Sequence, residues 1–214
     1  MRHPDAVIKV GGSLGRRPAV LRRLMATIES LAATRALVVV AGGGGFADQV
    51  RDADRRFGLG DSAAHWMAIL GMDQYAYLLA DLSCEAALVR GRGEIATGRV
   101  NVLTASCWLR RADPLPHSWE VTSDSIAAWV ARELRARLLI LLKDVDGLFE
   151  RDPRGRGEPR LQVRVDRGRL RGVVDAYFPR ALGRDMPCWI LNGARPKRLM
   201  SLMETGRTRG TQVI

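Results

Sequence analysis

The chain has 214 residues, 47% of them apolar, and a formal net charge of +11. This size and apolar fraction suit one α/β domain with a full-sized core, and no apolar stretch reaches the roughly 18 residues of a membrane span. The positive charge invites a nucleic-acid role, but the arginines spread along the whole chain and no aromatic residues interleave with a basic stripe. An anionic small molecule is therefore the expected partner, with no nucleic acid and no membrane.

Cys84, Cys107 and Cys188 are far apart, and no CxxC or Cys/His cluster exists. Neither a disulfide framework nor a zinc site is supported, and no protein-built metal site is expected. The N-terminus runs directly into a strand pattern without leader-peptide features, so a cytoplasmic enzyme is expected. Of the 34 basic residues only Lys9, Lys143 and Lys197 are lysine. Arginine is a wide planar fork, whereas lysine is a compact ammonium that can follow a moving phosphoryl group into a narrow site.

In chain order, residues 6–10 (AVIKV) are a short apolar run closed by Gly11-Gly12, the pattern of a buried strand. Residues 18–33 carry Val20, Leu21, Leu24, Met25, Ile28 and Leu31 at helical spacing, with Pro18 in the first turn. A second buried strand at 36–41 ends in four glycines, which completes a β–helix–β crossover. Residues 46–57 and 62–80 read as helices, the second capped by Asp61 or Ser62. Strands are expected at 85–90 and 100–105, and a helix at 124–136 capped by Thr122 or Ser123. Strands at 137–142, 188–192 and 211–214 follow, with a helix at 195–204. Fully apolar runs alternating with amphipathic helices indicate an α/β fold with a mainly parallel sheet covered on both faces. Residues 151–172, polar and rich in Gly, Pro and Arg, read as an excursion or mobile loop within a single domain spanning 1–214.

Four motifs carry chemistry. Lys9 precedes Gly11, Gly12 and Ser13 at a strand tip, where open parallel sheets bind ligands. Glycine amides there can approach a phosphate closely, and the following helix start adds positive potential. Gly42–Ala47 satisfies GxGxxA, a dinucleotide fingerprint, which on its own would suggest a nicotinamide-dependent oxidoreductase. The acid at the required distance, Asp61, reads instead as a helix cap, so a second anion cradle fits better. Asp124 falls in the first turn of a helix, as a stabilising acid, an anchor for lysines or a Mg²⁺ ligand. Lys143, Asp144, Asp146 and Gly147 lie at another strand tip and suit either a nucleotide site or a plain turn. Arg51, Arg55 and His65, downstream of the second glycine loop, are candidates for binding the acceptor.

Taken in order, IKVGGSL, VVVAGGGGFAD, VTSDSIAAWVA, LLKDVDGLF and NGARPKRL…GTQVI resemble the amino acid kinase superfamily of aspartate, glutamate, uridylate and acetylglutamate kinases. GGGGFADQVR followed by HWMAILGMDQYAYLLA is most similar to the [5-(aminomethyl)furan-3-yl]methyl phosphate kinases of methanofuran biosynthesis and their bacterial relatives. The resemblance implies a three-layer αβα sandwich of the carbamate kinase-like type, ATP with Mg²⁺, and a homo-oligomer. It implies γ-phosphoryl transfer to an acid acceptor, in the close relatives a phosphate monoester that becomes a diphosphate. It also implies that Lys9 stabilises the transferred phosphoryl group and that Gly11, Gly12, Ser13, Gly43 and Gly44 hold phosphates. Asp124 would organise the catalytic lysines, and Lys143, Asp144, Asp146 and Gly147 would lie on the nucleotide side. Where many relatives place a second catalytic lysine, VVDAYFPRAL (173–182) offers only Arg180. Arg180 substitutes, or the second charge comes from elsewhere, or the chain is a non-catalytic binding or storage protein. A carboxylate or nucleotide acceptor is the other alternative.

Overall fold

A computed structural model describes residues 3–150, 160–170 and 172–214. The chain runs β1 (Ala6–Val10), α1 (Pro18–Ala32), β2 (Leu37–Ala41), α2 (Gly44–Phe57), α3 (Asp61–Asp81) and β3 (Ala86–Val89). It continues β4 (Val100–Leu103), α4 (Ala105–Ala112), α5 (Ser123–Glu133), β5 (Leu139–Lys143), β6 (Arg164–Val165), α6 (Phe178–Leu182), β7 (Cys188–Asn192), α7 (Pro196–Thr205) and β8 (Thr211–Val213). The strands form one sheet in the order β3-β4-β2-β1-β5-β7-β8-β6. Pairing is parallel except between β7 and β8. No helix of the described residues is long and apolar enough to cross a membrane.

Side-chain alternation along each strand divides the core in two. Ala6, Ile8, Val10, Leu37, Val39 and Ile140 pack on one face with α1 and α7. Val7, Val38, Val40, Leu139 and Leu141 pack on the other with α5 and α6. This is the expected three-layer αβα architecture. Helix α3 contributes to both clusters, through Ile69 and Met72 to one and Tyr75 and Leu79 to the other, in keeping with its near-continuous apolar sequence.

Several boundaries differ from the sequence expectation. The fourth strand stops at Leu103, and α4, which the sequence reading lacks, begins at Ala105. Helix α2 opens at Gly44 rather than Phe46, because tertiary contact outweighs the poor helix propensity of glycine there. The short α6 went unread for lack of length. Of the polar excursion expected at 151–172, residues 151–159 and 171 lie outside the described residues. Its flanks pair with each other through Gln162 N–H to the Leu148 carbonyl and an antiparallel bridge between Phe149 and Leu161, and β6 extends the sheet edge.

The two glycine loops touch at the carboxyl ends of β1 and β2. The Gly11 amide donates to the Leu142 carbonyl and the Gly42 amide to the Val10 carbonyl, both at 2.8 Å, so the ladder continues past the strand ends. A Cβ on Gly12 would lie 2.1 Å from the Gly44 nitrogen. Gly44 itself has φ +54, a left-handed conformation that glycine adopts without steric cost. Because the contact at Gly12 is backbone to backbone, no side chain can swing aside. Gly12→Ala is expected to lower stability by about 1–3 kcal/mol, read as a lower midpoint in urea unfolding.

Candidate active site

Strand parity and register bring three charges together. Lys9 follows Val7 by two residues, and Lys143 follows Leu141 by two, so both ammonium stems project to the α5 face of the sheet. Lys9 pairs in register with Leu141 on adjacent strands, which places the two lysines side by side at the sheet's carboxyl edge. Asp124 meets them from the first turn of α5. Lys9 Nζ lies 2.9 Å from Asp124 Oδ1, and Lys143 Nζ 2.5 Å from Oδ2. The Lys9 and Asp124 side chains are 6% and 5% exposed and that of Lys143 15%, so this cluster of two basic groups on one carboxylate has little access to water. Burial alone would push the Asp124 carboxyl up, but Lys9 and Lys143 outweigh it and hold it below the usual carboxylate range. Burial and the charge of Lys9 push Lys143 down, while Asp124 partly offsets them.

The first turn of α5 is fixed from outside. Asp175 accepts hydrogen bonds from the Thr122 and Ser125 amides, each at 3.0 Å, and from both hydroxyls. Thr122 occupies the N-cap position as expected, yet its hydroxyl serves Asp175 instead of the helix.

Beside the charged cluster, the amides of Gly12, Ser13, Gly43, Gly44 and Gly45 donate no hydrogen bond among the described residues. Gly12, Ser13, Gly43 and Gly44 line a cavity of about 280 Å³ that continues between α2, α3 and the segment 118–126. Asp48 lines it too, accepting from Arg16 at 3.2 Å through Oδ2 and from Arg51 at 3.0 Å through Oδ1. One carboxylate thus holds two guanidinium groups at the wall. Arg51 also lies 5.0 Å from the Trp119 ring centroid, and the Trp119 indole donates to Asp54 at 2.7 Å.

The predicted residues distribute unevenly. Lys9, Asp124, Gly11, Gly12, Ser13, Gly43 and Gly44 stand together, and Arg51 and His65 line the cavity. Lys143, assigned by sequence to the nucleotide side, is the second cation on Asp124. Arg180, the expected second cation, is exposed: α6 buries Phe178, Ala181 and Leu182, which turns Arg180 to solvent. Arg55 lies one turn beyond Arg51, outside the cavity lining, where it is exposed and pairs with Asp52 at 3.1 Å.

His65 is buried against His117, ring centroids 4.4 Å apart. His117 is itself held by Ser62 at 2.8 Å and Asp113 at 2.9 Å. Burial first, then the charge of His117, lowers the His65 pKa to about 4, with Asp113 acting the other way. His65 is therefore neutral near pH 7 and supplies an uncharged aromatic wall, not a cation for an anion.

Asp144 is exposed at the tip of β5. Asp146 is taken up by Asn192 at 2.7 Å, Arg198 at 2.8 Å and Arg209 at 3.4 Å. Gly147 faces Thr211, whose hydroxyl a Cβ would meet at 2.4 Å. Asp146 and Gly147 thus brace the loop against β7, α7 and β8, with the Asp146 carboxylate engaged by protein partners. Asp61 opens α3 and ends no strand, so the dinucleotide motif lacks its ribose acid. Sequence reasoning missed Arg16, Asp48, Trp119 and Asp175. Arg16 carried a signal, three residues after Ser13, and Asp48 another, three residues before Arg51 on α2; Trp119 and Asp175 become visible only through contacts distant in sequence.

A family model described as the amino acid kinase family matches residues 6–173. The chain is 29% identical over 216 residues to the [5-(aminomethyl)furan-3-yl]methyl phosphate kinase of Methanocaldococcus jannaschii, covering 97% of each chain. It is 26% identical over 228 residues to the uridylate kinase of Methanospirillum hungatei, covering 98% of this chain and 94% of that one. Among solved structures, the uridylate kinase of Archaeoglobus fulgidus superposes with a TM-score of 0.78 at 23% identity, over 98% of this chain and 100% of that one. The isopentenyl phosphate kinase of T. acidophilum gives 0.66 at 18% identity, over 98% and 99%.

Removing the charge of Asp124 leaves two buried ammonium groups uncompensated. Asp124→Asn is expected to cost about 3–5 kcal/mol at neutral pH, measured by chemical denaturation. Lys143, already lowered from 10.5 by burial and Lys9, loses the raising effect of Asp124 in this variant and is lowered further, so the native variant releases its proton at a pH where the wild type and the unfolded chain still hold theirs. The unfolded state then binds more protons, so stability rises with pH in that window. The deficit of the variant is expected to shrink as pH rises toward 10.5.

Proposed function

The chain belongs to the amino acid kinase family and is an ATP-dependent kinase, and from this premise we propose that its acceptor is a phosphate monoester, converted to a diphosphate. The carrying observation is the pair of buried ammonium groups on one carboxylate, beside two apposed glycine loops with unpaired amides. Phosphoryl transfer requires alignment and charge neutralisation more than covalent help. In the proposed reaction an acceptor phosphate oxygen attacks the γ-phosphorus, the bond to the β-phosphate oxygen breaks, and ADP leaves with that electron pair. The acceptor is already an anion at neutral pH, so no general base is needed.

Each ammonium has three donors and uses one on Asp124, which leaves donors for the oxygens of the group in flight. Asp124 suppresses the mutual repulsion of the two lysines and keeps them in place before substrate arrives. Each of its two oxygens faces one ammonium group. Among the described residues no cluster of three His, Cys, Asp or Glu could hold a metal. This fits Mg²⁺, which typically binds through substrate phosphates and keeps several waters. When bound with ATP, it supplies further neutralisation of phosphate charge. Lys143 also removes the deficiency that favoured a non-catalytic storage protein, since a second lysine is present without Arg180.

Two observations favour a phosphate over a carboxylate acceptor. Arg16 and Arg51, held apart by the two oxygens of Asp48, offer two guanidinium groups, a match for a dianion. The uncharged His65 and Trp119, with Ile69 and Met72, form a mainly apolar remainder suited to a small flat organic group. Similarity over nearly the full length of the M. jannaschii kinase supports (aminomethyl)furanmethyl phosphate as the acceptor, in a methanofuran-type pathway of one-carbon cofactor biosynthesis.

An ATP-consumption screen of phosphate monoesters and carboxylates, with aminomethylfuranmethyl phosphate included, is expected to yield a diphosphate visible by ³¹P NMR. Turnover with carboxylates alone would sink the phosphate reading. Lys9→Ala is expected to lower kcat by about 100-fold or more with little change in ATP affinity, checked by steady-state kinetics and calorimetric ATP binding. Arg51→Ala is expected to raise the acceptor KM by roughly 10- to 100-fold, the loss of one charge-assisted hydrogen bond, while the ATP KM stays near wild type.

A further inference from the structure

We infer that Asp175 is a positioning residue for phosphoryl transfer: its carboxylate clamps the first turn of α5 on both sides of Asp124 and so holds Asp124 between Lys9 and Lys143. The inference rests on the kinase reading above, and concerns a side chain that forms no ion pair with either lysine among the described residues.

A helix start leaves amides without intrahelical partners, and a side chain at the N-cap ordinarily serves them. Here a residue about fifty positions later in the chain does so. Asp175 Oδ2 accepts from the Thr122 amide at 3.0 Å, the Thr122 hydroxyl at 2.8 Å and the Ser125 amide at 3.0 Å. Its Oδ1 accepts from the Ser125 hydroxyl. Residues 122 and 125 flank Asp124, so its backbone is fixed from both directions. The turn carrying Asp175 is tied down again where the Tyr177 amide donates to the Glu120 carbonyl at 3.1 Å.

Four hydrogen bonds exceed what capping a short helix requires. The demand comes from Asp124, which must keep one oxygen on each of two ammonium groups that repel one another. A displacement of about 1 Å at such a centre can cost roughly 100-fold in rate. Thr122 and Ser123 also line the cavity, so the same clamp borders the acceptor wall and the charged cluster.

Asp175 also acts through its charge. Lys143 is faced by Asp124 from α5 and by Lys9 from β1, and stands in register with the uncharged Asn192 of β7. The negative charge of Asp175 favours the protonated form of Lys143 and works against the burial that lowers it. Removing that charge without displacing the helix reads the electrostatic part of the role, and kcat reads the positional part.

The chain has only three lysines, so ¹³Cε-lysine labelling resolves Lys9, Lys143 and the exposed Lys197 as an internal reference. In Asp175→Asn the titration midpoint of Lys143 is expected to move to lower pH while that of Lys197 stays put. With ATP and the acceptor phosphate, kcat per folded molecule is expected to fall roughly 10- to 100-fold, with both KM values within about three-fold of wild type. Asp175→Glu is expected to restore the Lys143 midpoint and part of kcat. An unmoved Lys143 midpoint with unchanged kcat overturns the inference, as does a variant that only melts earlier. If Asp175→Asn does not fold, Ser125→Ala, which keeps the charge and the amide bond and removes the one hydroxyl donor, decides: a lower kcat supports the clamp and an unchanged kcat overturns it. A wild-type chain that phosphorylates no acceptor sinks the kinase reading alone, because the titration of Lys143 still reports on Asp175.

Discussion

One carboxylate between two buried ammonium groups is the constraint on which this molecule depends. Lys9 and Lys143 project from adjacent strands into a region nearly closed to water, and Asp124 is the carboxylate that pairs with both. Burying such a charge unpaired is among the costliest substitutions a fold can meet. The cluster survives because α5 delivers Asp124 at the one point where both strand tips can reach it. Its remaining positive charge is what makes the place suitable for a phosphoryl group in the proposed reaction.

The rest of the site is arranged around that charge. The parallel ladder carries on through Gly11 and Gly42, so the two glycine loops are extensions of the sheet and share its rigidity. Their absent side chains allow Gly12 to sit against Gly44, and the amides of Gly12 and Gly44 have no hydrogen-bond acceptor among the described residues. Farther out, Asp48 repeats the logic of Asp124 with arginines: one carboxylate spaces two cations. The exposure of this outer trio, with Arg16 at 77% and Arg51 at 42%, makes each pair weak as a source of stability. Its value lies in holding the forks apart for a ligand. His65 completes the contrast, since burial makes it a flat neutral wall.

Much of the fold was legible. Runs such as AVIKV and CWILN, each apolar but for one residue, mark strands covered on both faces, and the observed β1 and β7 have those bounds. What escaped was short or depended on contact. The five-residue α6 has too few positions for periodicity to speak. The start of α2 inside a run of glycines is set by Gly12, a residue of another loop. The assignment of Arg180 rested on where it falls in the chain, whereas its orientation follows from which face of α6 is buried.

Of the candidate site, the chain itself showed the pieces: a lysine before a glycine pair, a second glycine run, an acid opening a helix, and a lysine closing a strand. These are local features, read from spacing and residue type. Which of them meet is another matter. That Lys143 and not Arg180 joins Lys9 follows from the parity of β1 and β5 and from the register that sets Lys9 opposite Leu141. That Asp175 grips α5, and that Arg16 and Arg51 share Asp48, follows from packing between segments far apart in sequence. Periodicity along a chain tells which way each side chain faces within its own element; only the docking of the elements decides which charges become neighbours, because electrostatic pairing acts through space and is blind to sequence order.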